Sequence, residues 1–162
     1  MVFIERVPTV VLDTGAAQYL IDDEGVIIER LKKEHFSAYQ LPVVAIKDYR
    51  ARPGDQVMSD GIHEALTLIA EISARGGWKL ADVTIKADSP ESLSILYAEH
   101  EFKIGSGKYA EKLRRLGEVM ADIQQRGLEI AYVDLRPERQ AAVMVKESRV
   151  QGSGSRVKGK KP

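Results

Sequence analysis

Two amphipathic stripes of apolar residues, set among short strand-like runs, constrain the fold of this chain more than any other feature. In the first stripe Ile62, Ala65, Leu66, Ile69 and Ile72 recur at three- and four-residue spacing. In the second, Leu113, Leu116, Val119, Met120 and Ile123 do the same. Each stripe predicts a helix with one face turned to a core. Ser59 or Asp60 can cap the first helix and Arg75-Gly76-Gly77 can stop it. The second is expected from about Lys108 to Arg126, with Gly127 as its stop.

The remaining segments read as strands. Val2 to Leu12 is rich in Val and Ile, with Pro8 at an edge or bulge. Gln18 to Ile21 and Val26 to Ile28 flank the turn Asp22-Asp23-Glu24-Gly25 and predict a hairpin. Leu31 to Gln40 is charged and weakly periodic, a connector, and Leu41 to Ile46 is a short apolar strand. Asp48 to Asp60, with Pro53-Gly54, reads as a loop. Trp78 to Gly105 predicts a three-stranded antiparallel meander, with turns at Asp88 to Glu91 and at His100-Glu101 and with Trp78 packed over it. Two last strands, in Ile130 to Lys146, are joined by the polar turn Arg136 to Gln140.

Helices thus alternate with runs of strands, in the order βββ-α-βββ-α-ββ. That predicts an α+β fold, a largely antiparallel mixed sheet with both helices on one face. Residues 1–150 are read as one domain, and 151–162, rich in Gly, Ser and Lys, as a disordered basic tail.

Composition narrows the chemistry. The 162 residues carry zero formal net charge, so the molecule as a whole has no bias toward nucleic acid or an anionic membrane. The absence of cysteine excludes thiol catalysis, disulfides and thiolate metal sites. No run reaches the ~18 apolar residues of a membrane span, which predicts a soluble polypeptide, and the N-terminus lacks the regions of a secretory signal. Val2 to Arg6 already reads as strand, as if the chain were part of a longer protein.

Motifs for catalysis or ligand binding fail on inspection. Gly105-Ser106-Gly107-Lys108 resembles the end of a phosphate loop, but Phe102 and Tyr109 stand where that motif needs Gly and Ser or Thr. His63-Glu64 begins a zinc-protease pattern that Thr67 breaks. His35, His63 and His100 fall in separate segments, and His35 reads as a solvated surface residue. The expectation is no catalytic residue, no cofactor and no metal. Lys112, Arg114, Arg115 and Arg126 read as the solvated basic face of the second helix. Arg156, Lys158, Lys160 and Lys161 in the tail leave an alternative, an interaction module whose tail binds nucleic acid or anionic lipid.

ERVPTVVL (Glu5 to Leu12), YLIDDEGVII (Tyr19 to Ile28), LPVV (Leu41 to Val44), KIGSGKYAEKLRRL (Lys103 to Leu116) and YVDLRPERQAAVMV (Tyr132 to Val145) together resemble the bacterial cell-division family FtsQ, also called DivIB. The resemblance implies a membrane-anchored parent with one transmembrane helix, a small POTRA domain and a distal β domain on the extracytoplasmic face of the inner membrane at the septum. This chain corresponds to the β domain, with residues 1–12 a candidate last strand of the POTRA module. It also implies a non-enzymatic divisome scaffold that binds FtsB- and FtsL-type partners. The last strand, Ala141, Ala142, Val143, Met144 and Val145, would offer an edge to a partner strand. Tyr132, Asp134 and Arg136 would flank the incoming segment, while Ala131, Val133 and Leu135 face the core. Spacing alone leaves open whether that edge is free, central or covered by a loop.

Overall fold

A computed structural model describes residues 5–35 and 39–146. Four strands come first: β1 (Val10–Asp13), β2 (Gln18–Ile21), β3 (Ile27–Arg30) and β4 (Val43–Ala45). Helix α1 (Asp60–Arg75) leads to β5 (Thr84–Lys86), β6 (Ser94–Tyr97) and β7 (His100–Lys103). Helix α2 (Tyr109–Arg126) leads to the closing pair β8 (Ile130–Asp134) and β9 (Ala142–Val145). All nine strands join one sheet in the order β3-β2-β1-β4-β5-β6-β7-β8-β9. The fold is α+β, as expected, with four strands in the first run because Leu41 to Ile46 contributes β4. The expected tail at 151–162 and the start of the expected first strand at Val2 lie outside the described residues.

The sheet is mixed. Hairpins make β1–β2, β2–β3, β5–β6, β6–β7 and β8–β9 antiparallel, whereas β1–β4, β4–β5 and β7–β8 are parallel. The two helices are the crossovers of two of those parallel pairs. β4 and β7 point the same way, and each crossover steps in the same direction along the sheet. Crossovers of one shared hand then lay both helices on the same face. The side chains agree: Ile62, Leu68 and Ile72 of α1 and Leu113, Leu116 and Ile123 of α2 are buried in one cluster with Leu12, Val44, Ile85, Ile95 and Val133. Burying each such side chain contributes about 1.5–3 kcal/mol. Tyr109 of α2 also donates its hydroxyl hydrogen to Glu64 of α1.

Helix boundaries follow local chemistry. Ser59 accepts from the Ile62 amide and caps α1, and Gly127, left-handed at φ 62°, ends α2. α1 begins hard against the sheet: a Cβ on Gly61 would lie 2.1 Å from the Ala87 carbonyl oxygen. Trp78 packs on the meander, its ring 4.7 Å from that of Tyr97 and edge-on to Phe102.

Three expectations shift. The first strand begins at Val10, because Pro8 has no amide to give a ladder and Arg6 turns to Asp22 (2.5 Å) and Glu24 (3.2 Å). The turn between β6 and β7 is Ala98-Glu99, left-handed at φ 50° and 65°, and His100 and Glu101 already pair in the ladder. Two positive φ values suit the twist of a tight hairpin better than the downstream pair expected. The connector after β3 does more than link. Leu31 is buried with Val11 and Leu20, and Tyr39, Leu41 and Val43 pack on them, covering the sheet's other face near β1 and β2.

Candidate functional site

The β8–β9 hairpin forms one end of the sheet, with β9 outermost. Val133 and Leu135 are buried in the core as expected, but Ala131 is not their partner there. The register slips between Ile130 and Tyr132, so Ile130 takes the core position and Ala131 is left half-buried. A bulge inserts one extra residue, which interrupts the period of two on which the expectation rested.

Tyr132 and Asp134 share the face away from the helices, and Arg136 joins them from beyond the strand, beside the turn at Gly105 that leads into α2. The Lys103 ammonium sits 4.1 Å from the centre of the Tyr132 ring. Arg136 lies beyond the strand and folds back on Asp134, donating from Nε (2.9 Å), Nη2 (2.7 Å) and its backbone amide (3.0 Å). Those bonds hold the Asp134 carboxyl below the usual carboxylate range, and the carboxylate in turn raises the Arg136 guanidinium.

Ala141 lies just before the strand, and Ala142 to Val145 form it. Ala142 and Met144 pair with Asp134 and Tyr132 and are exposed, Met144 by 48%. Ala141 and Val143 lean on the core.

Backbone direction decides what the outer edge offers. In a strand the amide and carbonyl groups of successive residues point to alternate sides. Leu135 donates its amide to Lys103 O of β7 (2.8 Å), so Val133 and Leu135 address β7 while Tyr132 and Asp134 address β9. Lys146 donates to Glu129 O (2.9 Å), which turns Ala142 and Met144 inward to β8 as well. Val143 and Val145 therefore present their amides and carbonyls outward. Among the described residues nothing accepts from or donates to them.

The opposite edge is closed. Ile27 of β3 donates to Asp55 O (2.8 Å) and accepts from Gly54 (2.7 Å), and Val57 donates to Gly25 O (2.8 Å). The loop before α1 thereby occupies the outer side of β3, and Glu29 and Arg30 guard what is left. Among the described residues β9 has neither protection: no loop bonds to its outer side, and Ala142 to Val145 carry no charge.

The four basic residues of α2 do not form one solvated face. Arg114 and Arg126 do lie at the surface, paired with Glu118 (2.7 Å) and Asp122 (3.3 Å). Lys112 is only 6% exposed and donates to Ile104 O (2.8 Å) and Ser106 O (3.0 Å). Arg115 reaches under the hairpin turn, donating from Nη2 to Leu135 O (2.9 Å) and from Nη1 to Pro137 O (3.0 Å). The signal for Lys112 was in the periodicity. It stands three residues after Tyr109 and four before Leu116, both of them buried, so it shares their stripe. Gly105 to Lys108 is the turn that leads into α2, and its Ser106 carbonyl is held by that buried ammonium.

Comparison with known proteins gives a consistent result. Residues 10–136 match the family model described as cell division protein FtsQ/DivIB, C-terminal. The cell division protein FtsQ of Geotalea daltonii is 30% identical over 139 residues, covering 83% of this chain and 50% of that protein. The FtsQ proteins of Geobacter sp. strain M21 (26% over 134 residues; 81% and 48% covered) and Anaeromyxobacter sp. strain K (28% over 137; 82% and 46%) are also similar. The chain spans about half the length of these curated relatives.

Proposed function

The chain belongs to the FtsQ/DivIB family of bacterial cell-division proteins, and from that premise we propose that it is a non-enzymatic scaffold domain of the divisome that captures a partner by strand addition at β9. FtsB- and FtsL-type subunits are the proposed partners. The observation that carries this reading is the asymmetry of the two sheet edges: β3 is capped by its own loop, while β9 is uncharged and turns Val143 and Val145 outward. An added strand gains affinity from main-chain hydrogen bonds and selectivity from alternate side chains. Ala142, Met144, Tyr132, Asp134 and Arg136 would meet one row of those side chains, and Ala141, Val143 and Val145 the other.

The proposed setting is the extracytoplasmic face of the inner membrane at the septum, with an anchor and a further module supplied by the parent protein. No helix among the described residues is long and apolar enough to cross a membrane. The alternative, tethering to nucleic acid or lipid through 151–162, falls on residues outside the described structure.

Amide hydrogen exchange on titration with purified FtsB of the same organism tests the reading. The Val143 and Val145 amides, without a partner among the described residues, should gain protection at least tenfold, while those of Ala142 and Met144 change little. Protection that appears elsewhere and leaves Val143 and Val145 exchanging freely would falsify strand addition at β9.

A further inference from the structure

We propose that Arg115 is a positioning residue for the docking edge: its guanidinium fork on Leu135 O and Pro137 O fixes the β8–β9 turn and thereby the line of β9. The inference rests on the reading of β9 as the docking edge. An edge strand of four residues has a single neighbour, and a two-stranded ribbon by itself is marginal in water. The turn before it is a run of five exposed residues, Arg136 to Gln140, so its direction has to be imposed from outside.

Three contacts impose it. The planar fork of Arg115 meets two carbonyls at 2.9 and 3.0 Å, on either side of Arg136. A fork spanning two acceptors fixes orientation as well as distance, which a single ammonium does not. Arg136 is then clamped over Asp134, and its stem lies so close to the backbone that a Cβ on Gly105 would be 3.1 Å from its Cγ. Lys112, one helical turn before Arg115, pins the neighbouring turn through Ile104 O and Ser106 O. The Nε of Arg115 is buried with no hydrogen-bond partner among the described residues. The side chain thus leaves one donor of its own unsatisfied while both terminal nitrogens serve the hairpin.

Arg115→Met keeps the stem and removes both bonds, and Arg115→Lys can restore one of them. Hydrogen exchange on the free proteins reads positioning without any partner. In Arg115→Met the inward amides of Ala142 and Met144 should lose protection at least tenfold, while those of Ile85 and Ile95 in the central strands stay within twofold. FtsB affinity should fall at least tenfold, and Arg115→Lys should fall between the two in both readouts. Unchanged protection at Ala142 and Met144 overturns the inference, as does a uniform loss that includes Ile85 and Ile95, which marks a merely structural residue. Loosened β9 amides with unchanged FtsB affinity also overturn it. In that case Val143→Pro separates the causes: if that variant also binds normally, the docking edge itself is wrong, and if it does not, only the role of Arg115 is.

Discussion

Lys112 and Arg115 differ from Arg114 and Arg126 only by where the helix turns them. In the sequence all four are cations on one helix, and the plain expectation for such residues is solvent. What the sequence could not supply was the set of carbonyls they meet, since Ile104, Leu135 and Pro137 reach α2 only through the fold. Tyr109 raises the same point for an acid. Buried against the core and bonded to Glu64, its phenol is pushed up to about 12, chiefly by burial. The fold therefore favours the neutral phenol. That stabilisation is complete below the ordinary tyrosine value near ~10 and is lost as pH rises through the folded value. Tyr109→Phe should cost about 1 kcal/mol at neutral pH from the missing bond. Chemical denaturation from pH 7 to 12 should show wild type converging on the variant only in the alkaline range. A gap that stays constant across that range contradicts the assignment.

At the scale of elements, both helices and the meander were legible because periodicity and turn residues report local structure directly. Ser59, Gly127 and the alternation through Val83, Ile85 and Ala87 all mark what forms. The parallel pairs were not legible, because a strand before a helix looks the same whether the next strand returns beside it or elsewhere. The bulge at Ala131 is likewise invisible in a segment whose apolar pattern reads equally well in either register. Gly61 shows how closely such elements meet. Its hydrogen lies where a methyl group would collide with the Ala87 carbonyl, so Gly61→Ala must push α1 away from the end of β5. Although alanine favours helix, the variant should lose roughly 1–3 kcal/mol, the usual cost of overpacking. A thermal melt at or above the wild-type midpoint would remove the close approach from the account.

At the scale of the whole molecule, one sheet carries two unequal ends. The helices cover one face, the connector after β3 covers part of the other, and the loop before α1 seals the first edge. Zero net charge gives the molecule as a whole no bias toward a polyanion, in keeping with the proposal that affinity comes from short-range complementarity at β9. The hairpin and its residues could be located from sequence, but the place of β9 at the end of the sheet could not, because it depends on a strand order that no local pattern encodes. Val143→Pro is the most direct test. Proline removes an outward amide and leaves the inward ladder of Ala142 and Met144 intact, a position where an edge strand tolerates it. Calorimetric titration of FtsB into wild type and Val143→Pro, each with the same circular dichroism and melting midpoint, should show binding lost or weakened at least a hundredfold. Equal affinity in a folded Val143→Pro protein would contradict strand addition at β9.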